Sequence, residues 1–237
     1  MINKSTIQEI KARFDQDVER FSNLETGQAT SIDASLNMEW ICTAISKVQP
    51  DVSAVLDIGC GAGNYDVKLL EKLNPIDFTL LDLSMPMLIR AKQRIDQINL
   101  GKTTCLQGDF RTIPLADNHF DVIIATAVLH HLRDDQDWEL AFEKLHRCLK
   151  PGGSIWIFDL IQQSNSALQR YMYDELYGQF LTNLKDEAYR DHVFDYIEKE
   201  DSPRPLLYQL DLLKKVGFKE VDILSKNLCF ASFVAFK

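Results

Sequence analysis

The sequence predicts a doubly wound α/β fold. It has a seven-stranded sheet, mostly parallel with an antiparallel last strand, plus N-terminal helices and a helical insertion after the fifth strand. Two observations predict this. Short apolar runs at 52–57, 78–82, 103–107, 120–126 and 154–159 alternate with helix-period segments at 65–73, 86–98 and 135–149. Such alternation buries a parallel sheet between two helical layers. The first run also ends in a glycine-rich turn that opens directly into a helix, the usual ligand-binding corner of open α/β sheets.

Each element has a local reason. Ile7, Ile10, Phe14, Val18 and Phe21 recur at helical spacing, as do Ile41, Ala44, Ile45 and Val48, so 7–48 reads as helical. The polar stretch 23–35 between them reads as an irregular segment or cap. Asp134 or Asp135 caps the helix reaching Leu149, and Pro151-Gly152-Gly153 ends it. Residues 164–200 are rich in aromatic and acidic side chains and read as a helical insertion. Most such aromatics pack cores, yet this segment follows a strand's carboxyl end and is the expected lid and substrate wall. A helix starting near Pro205 ends at Gly217-Phe218, and 219–224 with 228–236 form a terminal strand pair. No repeat or linker divides the chain. It reads as one domain, with a cap at 1–50, a core at 51–160, the insertion at 161–204 and a closing helix and strand pair at 205–237.

Composition narrows the function classes. The 237 residues are 46% apolar, enough to bury one sizeable core. No run of about 18 apolar residues marks a membrane span. The opening M-I-N-K-S-T-I-Q-E-I lacks the apolar core of a signal peptide. Five scattered cysteines form no C-x-x-C pair, which points to a reducing cytoplasm rather than a disulfide framework. A net charge of −9 disfavours a nucleic-acid partner. Lys144, His146, Arg147 and Lys150, interleaved with Glu139 and Glu143, look like a solvated helix face. His119, His146 and His192 have no partner pattern, and no carboxylate–histidine cluster suggests a metal.

The glycine turn carries most of the functional signal. Residues 55–64 read V-L-D-I-G-C-G-A-G-N, with Gly59, Gly61 and Gly63 at alternate positions and Asp57 two residues earlier. The dinucleotide fingerprint is G-x-G-x-x-G instead. A carboxylate at a strand tip repels a pyrophosphate and suits a cation. S-adenosylmethionine, with a sulfonium, an ammonium and no phosphate, fits that demand. Cys60 inside the turn reads as a small filler. Taken alone, the turn could be a chance Gly-rich corner. It is followed by F-T-L-L-D-L, which places Asp82 about 20 residues on, where a ribose-binding acid is expected. Then come Gln107-Gly108-Asp109-Phe110 and F-D-V-I-I-A-T, leading into A-V-L-H-H-L.

With these motifs in this order, the chain resembles the class I S-adenosylmethionine-dependent methyltransferases over 52–160, through D-I-G-C-G-A-G, L-L-D-L-S, G-D-F, F-D-V-I-I-A and L-K-P-G-G-S. The resemblance implies a Rossmann-like domain in which Gly59, Cys60, Gly61 and Gly63 wrap the methionine part. Asp82 holds the ribose, with Leu83 and Met87 beside it. Asp109 and the Phe110 amide read the adenine edge. Ala125 and Thr126 lie near the methionine ammonium through backbone groups. The implied reaction is in-line methyl transfer to a small-molecule acceptor, leaving S-adenosylhomocysteine. Positioning supplies much of the acceleration. His130 and His131 are the candidate bases, or they orient the loop through hydrogen bonds.

The chain ends resemble a different branch. F-D-Q-D-V-E-R-F at 14–21 and the tail L-C-F-A-S-F-V-A-F-K look like the ends of carboxy-S-adenosylmethionine synthases. Those enzymes move a carboxylate from prephenate onto the cofactor's methyl group and serve a tRNA wobble-uridine pathway. Their product needs a cation, best a bidentate Arg, and Tyr189-Arg190 sits roughly where that arginine would be. Tyr173 is expected on the same substrate wall. The glycine turn departs from that branch in being richer in glycine, and Arg190 could equally pair with Asp186 or Glu187 on the surface. A non-enzymatic cofactor-binding module and, more distantly, a dinucleotide oxidoreductase complete the alternatives. The insertion's apolar aromatics leave a homodimer open.

Overall fold

The computed structural model describes residues 4–237. Met1, Ile2 and Asn3, at the start of the segment judged not to be a signal peptide, lie outside the described residues. Seven strands form one sheet in the order β3-β2-β1-β4-β5-β7-β6. They are β1 (Ala54–Ile58), β2 (Asp77–Asp82), β3 (Thr103–Gln107), β4 (Phe120–Thr126), β5 (Leu149–Leu160), β6 (Glu220–Asn227) and β7 (Phe230–Phe236). Neighbours among β1 to β5 pair in parallel, and β7 pairs antiparallel with both β5 and β6. This is the fold class the sequence predicts.

The period-2 alternation of the strands makes two cores. Val55, Leu80, Val122, Ile124, Trp156 and Phe158 join one buried cluster. Leu56, Ile58, Leu81, Ile123, Ile155 and Ile157 join the other. Helices α3 (Ala34–Val48), α4 (Asn64–Leu70) and α5 (Met85–Asp96) cover the first face. Helices α6 (Asp135–Cys148) and α10 (Leu206–Lys215) cover the second with Trp138, Phe142, Leu145 and Leu213. Side chains on opposite sides of a strand serve opposite layers, so each central strand is buried twice. Strand order reverses between β1 and β4, which places a topological switch point at their carboxyl ends.

The junction of α6 and β5 departs from expectation. Asp134 caps α6, its side chain accepting from the Asp137 amide at 2.9 Å, but the helix stops at Cys148. Leu149 then starts β5, so Pro151-Gly152-Gly153 lies inside an irregular strand start rather than acting as the helix stop. There β4 and β5 shift register between Phe120 and Val122, and Gly152 takes φ +80°. A bulge of this kind is where glycine and proline fit a strand.

The N-terminal helices α1 (Ile7–Gln16) and α2 (Val18–Phe21) lie across the switch point. A capping box at Thr6 and Glu9 fixes the start of α1. Ser84 Oγ donates to Asp15 at 2.6 Å, Asn64 Nδ2 donates to the Phe21 carbonyl at 2.9 Å, and Arg13 makes a fork to Glu200. Glu200 ends α9 (Glu187–Glu200) in the insertion. The rest of the insertion is α7 (Ser166–Gln169), a π-helical stretch over 170–177 and α8 (Gly178–Leu184). Its aromatics mostly pack, with Tyr173 stacked on Phe194 and Tyr177 edge-on to Phe230. The Tyr177 hydroxyl donates to the Thr30 carbonyl at 2.9 Å, which closes the cap against the insertion.

Candidate cofactor cleft and acceptor cavity

The glycine turn leaves β1 at Ile58 and feeds α4. Gly59, Gly61 and Gly63 all have positive φ, at +66°, +52° and +76°. The Gly59 amide donates to the Leu81 carbonyl at 2.7 Å and the Gly61 amide to Asp82 Oδ2 at 2.8 Å, so the turn is tied to the end of β2. A Cβ on Gly61 would meet nothing within 4 Å, whereas one on Gly59 would stand 2.7 Å from Val128 Cγ2. Gly61 therefore opens onto free space, and Gly59 lets the loop after β4 approach.

That space is a cleft with two lobes sharing Gly59, Asp82, Leu83, Val128 and His131. One lobe adds Cys60, Gly61, Tyr65, Met87 and Thr126 beneath Phe14, Phe21 and Gln28. The other adds Gly108, Asp109, Phe110 and Arg111 beneath Ile7 and Ile10. Asp82 sits between the lobes. Its Oδ1 accepts from the Ser84 amide at 2.8 Å. Burial pushes its carboxyl pKa up against the pull of these two donors. Burial likewise pushes the Cys60 thiol up, in keeping with a filler rather than a nucleophile.

Three residues expected at the cofactor lie off the cleft lining, and a fourth lines it with its carboxylate already paired. Asp57 is buried and faces α4, not the cleft. Burial raises its pKa well above the carboxylate range, and so does the neighbouring Asp66. The strand continues one residue past it to Ile58, so its side chain points into the layer instead of standing at the tip. Gly63 packs rather than lines, because a Cβ there would meet Ala91 Cβ at 3.0 Å. Ala125 is fully buried in register with Ile58 and Ile157. Asp109 does line the second lobe, but its carboxylate is gripped by Arg111, Nε to Oδ2 at 2.9 Å and NH2 to Oδ2 at 2.6 Å.

A third cavity adjoins the first lobe through Phe14, Phe21, Gln28, Ala127 and His131. Its far wall is aromatic and cationic, with Tyr177, Tyr196 and Phe230 beside Arg13 and Arg20. Tyr177 and Tyr196 come from the insertion expected as the substrate wall, but Arg190, Tyr189 and Tyr173, the three residues singled out there, do not line the cavity. Arg190 pairs with Asp191 at 2.8 Å, not with Asp186 or Glu187. Tyr189 packs against the first core cluster, and Tyr173 faces a separate depression with Gln162 and Arg204. The cations bordering the cavity are Arg13 and Arg20, neither of which the sequence singled out.

His130 and His131 come together at this junction. His131 lines both lobes and the cavity; His130 lines the cavity alone. His130 Nδ1 bonds the buried Asp159 carboxylate, and its Nε2 stands 3.6 Å from Asp201 Oδ1. Burial opposes the imidazolium, but Asp159 and Asp201 outweigh it and raise the His130 pKa to about 9. His131 Nδ1 is 2.9 Å from the same Asp201 oxygen. No carboxylate–histidine cluster was visible along the chain, yet the fold assembles one among the described residues. Its carboxylates come from the end of β5 and from the residue after α9, too far along the chain for any spacing rule to join them. Basic residues along 144–150 are also tied down: Lys144 donates to the Phe110 and Ile113 carbonyls, Arg147 pairs with Asp117 and Lys150 with Asp121. No helix among the described residues is long and apolar enough to cross a membrane.

Comparison with known proteins agrees with this geometry. A family model described as a methyltransferase domain matches residues 55–153. The chain is 26% identical over 185 residues to a ubiquinone/menaquinone biosynthesis C-methyltransferase of Cereibacter sphaeroides, covering 75% of this chain and 71% of that one. It is 25% identical over 195 residues to a carboxy-S-adenosyl-L-methionine synthase of Nautilia profundicola, covering 79% and 78%. Among solved structures, a putative S-adenosyl-L-methionine-dependent methyltransferase of Methanococcus maripaludis superposes with a TM-score of 0.61 at 20% identity, over 100% of this chain and 96% of that one. The motif order, the switch-point cleft and these matches together mark residues 55–153 as a methyltransferase domain of the class I S-adenosylmethionine-dependent kind.

Proposed function

We propose that the chain transfers the methyl group of S-adenosylmethionine to a small, flat, anionic acceptor held in the cavity beside the cofactor cleft. One observation carries this reading. The cavity of Arg13, Arg20, Tyr177, Tyr196 and Phe230 adjoins the cofactor cleft at Phe14, Ala127 and His131. Aromatic walls suit a planar acceptor, and the guanidinium nitrogens that Glu200 and Asp17 leave free suit an acidic one. A binding module would need the cleft alone.

On this reading Asp82, between the lobes, accepts from the ribose hydroxyls. The methionine part lies over Gly61 and Thr126, and the adenine lies in the lobe of Asp109 and Phe110. Methyl transfer proceeds in line from the sulfonium. His131, at the junction, either takes the acceptor's proton or orients it.

A second reading has support of its own. Similarity to the Nautilia synthase extends over most of the chain, and the cavity's arginines could face a carboxylate carried on the cofactor. Native mass spectrometry of the freshly purified protein separates the two. Bound S-adenosylmethionine or S-adenosylhomocysteine, followed by turnover of an aromatic acid in an acceptor screen, supports methyl transfer. A bound cofactor heavier by one carboxylate reverses the assignment.

A further inference from the structure

We propose that His130, His131 and Asp201 form a binding site for one divalent transition-metal ion, of the zinc type, at the wall between the cofactor cleft and the acceptor cavity. The inference does not depend on which group the protein transfers.

The donor geometry comes first. His131 Nδ1 and His130 Nε2 stand 2.9 and 3.6 Å from Asp201 Oδ1, and the three donor atoms all lie within 4.8 Å of one another. Zinc bonds of about 2.0–2.2 Å to nitrogen and oxygen separate tetrahedral ligands by roughly 3.3–3.5 Å. The two distances bracket that value, so both imidazole nitrogens stand at about the right separation from the carboxylate oxygen.

The partners of these groups point the same way. Asp201 is 6% exposed, and its Oδ1 has no aligned hydrogen-bond donor although an imidazole nitrogen stands 2.9 Å off. A buried carboxylate oxygen in that state is costly unless a cation completes it. His130 is held through its other nitrogen. Asp159, itself fixed by the Leu129 amide at 2.8 Å, bonds Nδ1 and leaves Nε2 turned toward Asp201. A carboxylate behind a ligating histidine is the arrangement that sets ring tautomer and orientation in metal sites. The guanidinium groups nearby bond elsewhere first, Arg13 to Glu200 through Nε at 2.9 Å and NH2 at 2.5 Å and Arg133 to the Glu200 carbonyl at 2.5 Å. A dication held there would face the carboxylates of both Asp159 and Asp201.

Three protein ligands leave a coordination position open, and all three residues line the acceptor cavity. An oxygen of water or of a small ligand in the cavity completes the shell there, as in three-ligand zinc sites.

The test uses the whole chain, stripped by dialysis against a chelator and free of cofactor. Zinc is titrated calorimetrically, and cobalt(II) is followed by visible absorption. The expected result is one ion per chain with the d–d bands of a four- or five-coordinate nitrogen/oxygen site. Asp201→Asn and His130→Gln lower the affinity at least tenfold. Asp159→Asn lowers it 10–100-fold through orientation, while His192→Gln leaves it unchanged. The proposal is overturned by the absence of stoichiometric binding to the wild type, which needs no variant to fold. It is equally overturned by intense near-ultraviolet charge transfer from thiolate ligands, or by an Asp201→Asn protein that keeps wild-type affinity.

Discussion

Asp82 Oδ2 accepts a hydrogen bond from the Gly61 amide at 2.8 Å, so the acid at the end of β2 holds the glycine turn after β1 in place. Its other oxygen accepts from the Ser84 amide at 2.8 Å, and Ser84 Oγ in turn bonds Asp15 of the N-terminal cap. One carboxylate thus links the turn, the start of α5 and, through Ser84, the cap over the cleft. Asp82→Ala is expected to weaken S-adenosylmethionine binding by about 1–3 kcal/mol. Asp82→Asn should be nearly as damaging, because one side of an amide cannot accept the second backbone donor. Isothermal titration calorimetry showing wild-type affinity in both variants would remove Asp82 from the cofactor site.

The glycines of the turn differ in role, and substitution separates them. A side chain at Gly61 projects into open cleft, whereas one at Gly63 runs into Ala91 at 3.0 Å. Gly61→Val is expected to abolish cofactor binding, with a loss of about 1–2 kcal/mol in stability from the forced positive φ. Gly63→Val should instead cost more stability, since α5 must move to admit it. Thermal melts with and without cofactor read both effects. The assignment fails if Gly61→Val still gains the wild-type thermal shift from S-adenosylmethionine.

Much of the cleft floor was legible because its signals are local. The runs at 78–82 and 120–126 match β2 and β4 to within one residue, and Gly59, Gly61, Asp82 and Thr126 all border the cleft or its turn. The roof was not legible. Phe14 and Phe21 show only helical spacing, and nothing along the chain says which surface that face covers. The partners of the two histidines lie 29 residues away at Asp159 and about 70 away at Asp201, so only the folded chain joins them. Asp57 misled for a different reason. A strand-end acid reads as exposed, and a single further strand residue turned it into the layer. Arg190 followed a loose likeness of the insertion to another branch, and the helix there carries it to an ion pair with Asp191.

The Arg13–Glu200 pair fastens α1 to the end of the insertion. Glu200 is 6% exposed and receives two of the three guanidinium nitrogens. Arg13→Met leaves a buried carboxylate without its partner and is expected to cost ~1–3 kcal/mol. Adding Glu200→Met should recover part of that loss, which a double-mutant cycle by chemical denaturation measures. Arg13→Met should also raise KM for an anionic acceptor more than it changes cofactor affinity, because Arg13 lines the acceptor cavity and not the cofactor lobes. Unchanged acceptor KM would argue for a purely structural fork.

Beneath the glycine turn, Asp57 and Asp66 form a buried acidic pair that works against stability as pH rises. Both are buried, burial pushes both pKa values up, and Asp66 reaches about 7 with Arg94 drawing it back. In the unfolded chain both titrate near the ordinary value of about 3.9. Between roughly pH 4 and 7 the folded form therefore binds more protons than the unfolded form, so stability falls across that window as pH increases. Asp66→Asn supplies Asp57 with a permanent amide donor and removes the like charge. The variant is expected to be more stable than wild type above pH 7, by ~2 kcal/mol or roughly 4–8 °C in Tm for a chain of this size. The advantage should shrink toward pH 4, where the wild-type pair is protonated anyway. Melting curves that show a constant offset between the two proteins from pH 4 to 8 would mean that the pair does not titrate in this range.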